Sequence, residues 1–362
     1  MKLLHIINSL HFGGAEKLLL DTVPAFKRKE IDVEIMVLYN EKTFFYEELE
    51  DHYKIKIIAP KKRRSIYSLS HIFWIRKFIK NYDIIHVHLF PSLYWLSLAT
   101  LFLRYKTKFL FTEHNTQNRR YHLPFFKYLD TYIYNKYHKT IAISEGVKNN
   151  LQNHLESGYN AIEVINNGIN TKVFQESVGY SNSDFGLPEK AKIVIQVSSF
   201  TAQKDQDTLL KAIALLPKDV HLLLVGNGVL IEEKKKLASH LKISDRVHFL
   251  GYRSDVNRLL KSSDICVLSS HYEGFGLAIV EGMATGIPCI GTNVDGLSEV
   301  IGTAGLLFET GDHIQLKKII HQLFSNKKYY DKICKQCLDR AKEYDISLMI
   351  NAHIKLYNEL II

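Results

Sequence analysis

Proline is scarce in this chain, 7 in 362 residues, and cysteine is scarcer at 4. So few prolines beside only 19 glycines exclude a collagenous or low-complexity polymer. The four cysteines, Cys266, Cys289, Cys334 and Cys337, all lie in the second half; they are too few for a disulfide scaffold and suit a reducing compartment. Cys334 and Cys337 have the spacing of a metal or redox pair, but they stand alone in an amphipathic helical stretch and are read as structural. Long apolar runs are missing as well. The longest, Leu89 to Leu103, contains Pro91 and falls short of the ~20 residues needed to cross a bilayer, so a buried helix is expected there. The run Leu3 to Leu10 is broken by His5 and Asn8 and followed by Gly-Gly rather than a cleavage site, so no export signal is expected.

At about 150 residues per domain the length calls for two domains, each able to bury its own core. The net charge of +9 is lopsided: residues 1–172 carry 25 Lys+Arg against 16 Asp+Glu, whereas residues 173–362 carry 22 against 22. An anionic partner is expected for the first half, either a membrane surface or a phosphorylated substrate. Apolar β-rich runs at 2–8, 32–38, 54–58, 83–88, 108–112, 139–143 and 162–165 alternate with helical stretches, the rhythm of a parallel sheet with crossover helices. Residues 166–190, rich in Asn, Gly and Ser, read as an interdomain connection. Strands then resume at 192–198, 220–225, 246–250, 264–269 and 287–291. The expected fold is α/β, with two Rossmann-like domains whose strand carboxyl ends border a deep interdomain cleft, the place where open α/β sheets bind ligands.

The most informative segment is SHYEGFGLAIVE, residues 270–281, in which an apolar strand turns through Gly274 and Gly276 into a helix. The first N–H groups of such a helix lack intrahelical partners and sit at the positive end of its dipole, so they can hold a diphosphate. Glu273 in the turn and Glu281 in the helix would flank that diphosphate, one meeting a sugar and the other a ribose. A weaker glycine turn, Gly13-Gly14, follows the first strand without the full G-x-G-x-x-G spacing. Lys204 lies between a strand ending near Ser198 and a helix starting near Asp205, where an ammonium can neutralise a departing phosphate. His114 ends the strand 108–112, and its imidazole can bond a sugar hydroxyl or the reacting centre. His86 and His88 point the same way from one strand, as a metal pair would, yet no third ligand accompanies them in sequence, and metal binding is not expected.

Several of these segments together resemble one family, the retaining family-four (group 1) glycosyltransferases of GT-B fold, over nearly the whole chain. EGFGLAIVEGMATGIPCIGTNVDGLSEVI, with seven residues between Glu273 and Glu281, resembles the family's most specific motif. VINNGINTKVF (164–174) resembles the strand and turn before its linker, with Asn170 where Asp is usual. HFGGAEKLLL (11–20) resembles its N-terminal glycine loop and FTEHN (111–115) its histidine segment. LLLVGNG (222–228) and FLGYRSDV (249–256) resemble its nucleotide-binding loops.

The resemblance implies metal-free, cofactor-free transfer of a hexose from a UDP- or GDP-linked donor to a glycan or lipid-linked sugar, as in bacterial surface polysaccharide synthesis, with retention of configuration. It implies catalytic roles for His114, Lys204 and Glu273. It implies donor binding by Gly13, Gly14, Ser199, Lys204, Gly226, Asn227, Arg253, Glu273, Gly274, Phe275, Gly276, Leu277 and Glu281. Ser199 stands where the family usually has a phosphate-binding arginine, which Arg253 or Arg119 would have to replace. Residues 1–172 would form the acceptor side, with a C-terminal helix at about 345–362 crossing back to it, and residues 173–344 would hold the nucleotide sugar. A cytoplasmic protein, peripheral at the inner face of an anionic membrane and without a nucleic-acid partner, is expected. An epimerase or hydrolase of the same fold, or a non-catalytic sugar-nucleotide-binding protein, remains an alternative.

Overall fold

A computed structural model describes residues 1–11, 13–155 and 161–361, without the side chains of Arg119, His122 and Pro124. The chain forms two compact units, one of Met1–Gly168 with Ile346–Ile362 and one of Ile169–Asp345.

The first unit is built on seven parallel strands: β1 (Lys2–Ile7), β2 (Asp32–Val37), β3 (Lys56–Ile58), β4 (Ile84–His88), β5 (Lys108–Glu113), β6 (Lys139–Ala142) and β7 (Ile162–Val164). Their order is β3-β2-β1-β4-β5-β6-β7, so the direction of winding reverses between β1 and β4. Helices cover both faces of such a sheet, which is why its strands read as nearly continuous apolar runs. In β1 and β4 that rule is broken by His5, His86 and His88, all buried. The stretch expected as a buried helix contains one at Ser92–Ala99, with Leu93 and Leu96 fully buried. The helix Ile346–Ile361 belongs to this unit and packs Tyr357 against Phe26 of the helix Gly14–Arg28.

The second unit has six parallel strands: β8 (Lys192–Val197), β9 (Val220–Val225), β10 (Val247–Gly251), β11 (Ile265–Leu268), β12 (Cys289–Thr292) and β13 (Leu306–Phe308). Their order is β10-β9-β8-β11-β12-β13, and the winding reverses between β8 and β11. The three-residue β13 has too short an apolar run to announce itself in the sequence. Local capping sets the helix starts: Asp205 accepts the Thr208 N–H at the head of Gln206–Ala214, and Asn170 accepts that of Val173, contacts worth about 1 kcal/mol each. Cys337 is buried in the helix Lys327–Ala341 and donates to the Ala304 carbonyl, and all four cysteines are free.

Candidate functional site

In each unit, ligand chemistry is expected where the winding reverses, beyond the strand carboxyl ends. In the second unit that point lies between the loops after β8 and β11, which are joined to each other. The Asp205 N–H donates to the Ser269 carbonyl at 3.1 Å, the His271 N–H to the Gln203 carbonyl at 2.8 Å, and Lys204 pairs with Ser270 in an antiparallel bridge. Below them Gln196 accepts from the Ser269 hydroxyl at 2.8 Å and donates to Ser198 at 2.9 Å. This places Lys204 and Glu273, far apart in sequence, in direct contact as a buried ion pair, with the Ser270 hydroxyl donating to the same Glu273 oxygen at 2.8 Å. Burial pulls the Lys204 ammonium down to about 7.

Three residues beyond Glu273 the chain enters the helix Leu277–Ala284 through Gly276, whose φ is +87°. A side chain at Gly276 would meet Leu297 Cδ1 at 2.7 Å, so this sharp entry requires glycine. Gly276 stands at the N-cap and has no side chain to offer the first turn, whose Ile279 N–H is held by the Gly276 carbonyl at 2.9 Å. Phe275 is buried edge-on against Tyr344, and Leu277 and Glu281 are half-buried on the helix. Gly226 lies against the Ser198 carbonyl, where any side chain would collide, so the β9 loop with exposed Asn227 runs close beside the end of β8. Ser199 is exposed. The fork of Arg253 is engaged by both Asp255 oxygens at 2.8 and 2.6 Å, and the Arg119 side chain lies outside the described residues.

In the first unit the corresponding corner lies between β1 and β4. Asn8 ties the two strand ends together, donating to the Phe90 carbonyl and accepting from Ser92, both at 2.7 Å. Gly13 precedes the helix Gly14–Arg28, and the Glu16 carboxyl lies over it at the helix start; burial raises the Glu16 pKa to about 7. His114 follows β5, with its N–H and that of Asn115 held by the buried Glu113 carboxylate at 3.1 and 3.2 Å. Burial pushes Glu113 up, opposed first by the Arg120 charge.

Sequence reasoning missed the partner of the His86–His88 pair. Register places His5 of β1 directly beside His86 of β4, and the three imidazoles gather with His114 and His353 in a buried cluster. A polar residue inside an otherwise apolar strand was the available signal, and pairing between strands distant in sequence is what turns it into a cluster. The His5, His86 and His88 ligand atoms lie within 4.8 Å of one another, the spacing a metal set would have. The His86 ring lies over that of His88 with centroids 4.4 Å apart, and imidazole lone pairs lie in the ring plane, so these two do not aim at one point. His86 is bonded at both nitrogens, to Tyr357 at 2.8 Å and Thr112 at 2.6 Å.

Comparison with known proteins matches both halves of the chain. The profile described as Glycosyltransferase Family 4 matches residues 12–173, and that described as Glycosyl transferases group 1 matches residues 181–343. N-acetyl-alpha-D-glucosaminyl L-malate synthase of Bacillus anthracis is 40% identical over 156 residues, 42% of this chain and 41% of that protein. N,N'-diacetylbacillosaminyl-diphospho-undecaprenol alpha-1,3-N-acetylgalactosaminyltransferase of Campylobacter jejuni is 29% identical over 48% of this chain and 46% of that one. The aligned stretch thus spans less than half of either relative. Anabaena HepE, solved in complex with UDP and glucose, superposes with a TM-score of 0.88 at 20% identity, covering 99% of this chain and 100% of that one. It shares the fold, two Rossmann-like domains of the GT-B class.

Proposed function

Since the chain belongs to the group 1 glycosyltransferases, we propose that it moves a sugar from a UDP-linked donor to a glycan or lipid-linked sugar acceptor, with retention and without a metal. The observation that carries this reading is the buried Lys204–Glu273 pair at the turn that leads through Gly276 into the helix Leu277–Ala284. Such a corner meets a nucleoside diphosphate with one mobile cation and a set of oriented N–H groups. As the bond from the anomeric carbon to the β-phosphate oxygen breaks, charge grows on that oxygen; Lys204, with its proton secured by the phosphate, answers it in the way a metal ion otherwise would. Glu273, relieved of its ion pair, is then available to a sugar hydroxyl, and Glu281 to the ribose. The acceptor oxygen bonds to the anomeric carbon on the face the diphosphate leaves, and the diphosphate takes the acceptor proton. Ser199 in place of arginine makes Lys204 the principal cation of this site. The UDP complex of HepE and the diphospho-undecaprenol in the Campylobacter enzyme's name support these donor and acceptor classes.

We place the acceptor on the first unit, at an anionic membrane face. Phe125, Tyr128 and Tyr132 project from one side of the helix Pro124–Tyr134, exposed by 71, 67 and 47%, with Lys127 and Lys136 beside them. Leu69 and Phe73 are exposed near Lys61–Arg64. Rings and cations mixed in this way suit a lipid headgroup layer. Their sequence neighbours Trp74, Phe78 and Tyr121 pack against the core. No helix among the described residues is long and apolar enough to cross a membrane.

The test is incubation with UDP- and GDP-sugars and a polyprenyl-diphosphate-linked sugar. Acceptor-dependent release of UDP with a lengthened lipid is expected; free sugar, an epimerised donor, or binding without turnover would reject transfer. Sedimentation with anionic vesicles should be strong at low salt and weak at high salt. No binding at low salt would remove the membrane from the account, and equal binding to neutral vesicles would remove the electrostatic docking.

A further inference from the structure

The histidine cluster of the first unit contains a continuous hydrogen-bonded chain. His5 Nδ1 lies 2.9 Å from His88 Nε2, and His88 Nδ1 lies 3.2 Å from His114 Nε2. His5 and His88 are buried, and His114, at the end of the chain, is half-buried. The three rings come from three neighbouring strand segments, β1, β4 and the end of β5, so the sheet itself holds the chain in line.

Burial keeps these imidazoles neutral: His5 and His114 are pulled down to about 3, and His88 falls well below its ordinary value. Each neutral ring carries one N–H, so in such a chain every ring must donate in the same direction. The far end selects the direction. Among the described residues His5 Nε2 is buried with no hydrogen-bond partner, its ring stacked against Phe26. A buried N–H without an acceptor is rarer and costlier than a lone pair left unused. The His5 proton therefore sits on Nδ1 and is donated to His88 Nε2. His88 then carries its proton on Nδ1 and donates it to His114 Nε2.

We infer that His5 and His88 are positioning residues that lock His114 in its Nδ1–H tautomer, so that His114 meets the sugar or its acceptor as a hydrogen-bond donor and not as a general base. The only lone pair of His114 is occupied by His88, and a proton taken there has nowhere to go. This deepens the proposed transfer reaction: it leaves the departing diphosphate as the group that collects the acceptor proton. The role in transfer rests on that reading, whereas the tautomer is a property of the protein alone.

The experiment is long-range ¹H–¹⁵N correlation on the intact, ¹⁵N-histidine-labelled protein at pH 7.5, with His114 assigned through His114→Asn. A protonated Nδ1 and a bare Nε2 are expected at His114 in the wild type; the opposite tautomer overturns the inference even if every variant misfolds. His88→Leu should shift His114 toward the other tautomer and lower kcat about tenfold with the donor KM within about twofold. His88→Asn, whose amide N–H stands near the lost Nδ1–H, should restore the tautomer and most of kcat. An unchanged His114 signal and kcat in His88→Leu would overturn the inference. So would stoichiometric zinc in the purified protein that a chelator removes together with the tautomer signature, since the cluster would then be a metal site. A correct tautomer in a protein inactive with every nucleotide sugar would sink the transfer reading and leave the positioning of His114 standing.

Discussion

Lys204 and Glu273 each lose most of their hydration in forming their pair, with side chains only 12 and 8% exposed. Removing one partner of such a pair costs about 3–5 kcal/mol, because the other charge stays buried. Lys204→Ala is therefore expected to lower the melting temperature and also to slow transfer by 10²-fold or more, the scale of one lost group at a developing charge. Glu273→Gln keeps the shape and the Ser270 contact, so it should slow transfer with a smaller loss of stability. If Lys204→Ala, assayed where it is fully folded, turns over at the wild-type rate, the phosphate role of Lys204 is wrong. Strict dependence on Mg²⁺ or Mn²⁺ would overturn the metal-free mechanism. Glu281→Ala separates binding from chemistry: calorimetry should show UDP affinity reduced by about 1–3 kcal/mol, the scale of a hydrogen bond to a charged group. Unchanged affinity would end the ribose assignment.

At the scale of elements, the helix Gly14–Arg28 carries a carboxyl group of its own at its positive end, where Glu16 lies over Gly13. Burial raises the Glu16 pKa from 4.5 to about 7. The folded state holds this proton to higher pH than the unfolded chain does, so stability falls as pH rises from about 4.5 to 7 and the full cost remains above that. Glu16→Gln should accordingly raise the melting temperature more at pH 8 than at pH 5; an equal gain at both would show that Glu16 titrates normally. The strands were legible because parallel strands buried on both faces are written as apolar runs, and the turn around Gly276 because a left-handed corner between strand and helix leaves glycine in the sequence. The Lys204–Glu273 contact and the place of His5 were not legible as geometry. Both depend on which strands become neighbours, β8 with β11 and β1 with β4, and spacing along the chain does not encode that. The division of aromatics between surface and core on residues 66–80 and 119–139 was equally hidden, since Trp74 and Phe73 are adjacent in sequence and differ only in the face they take.

For the molecule as a whole, the histidine cluster sets how the two units differ in acid. His5, His86, His88, His114 and His353 all belong to the first unit, and burial lowers the pKa of each. They are neutral when folded and charge near 6.5 when unfolded, so the stability they support is complete above that pH and is lost as pH falls below it. Each contributes about 1.4 kcal/mol per pH unit. Glu16 and Glu113, raised by burial, work the other way, but they are fewer than the lowered histidines of this unit, to which His71 and His138 also belong, and a net stability of about 5–15 kcal/mol for a domain leaves little to oppose the loss. In the second unit the lowered histidines His221 and His248 are less buried and fewer. The first unit should therefore unfold first on acidification, between about pH 6.5 and 5. The chain's two tryptophans, Trp74 and Trp95, both lie in that unit, so their fluorescence follows it alone while hydrogen exchange follows the second. A tryptophan transition preceding loss of protection in β8, β9 and β11 is the expected result. A tryptophan signal unchanged down to pH 4, or one coincident with the second unit's unfolding, would mean that the buried histidines do not govern the acid stability of this protein.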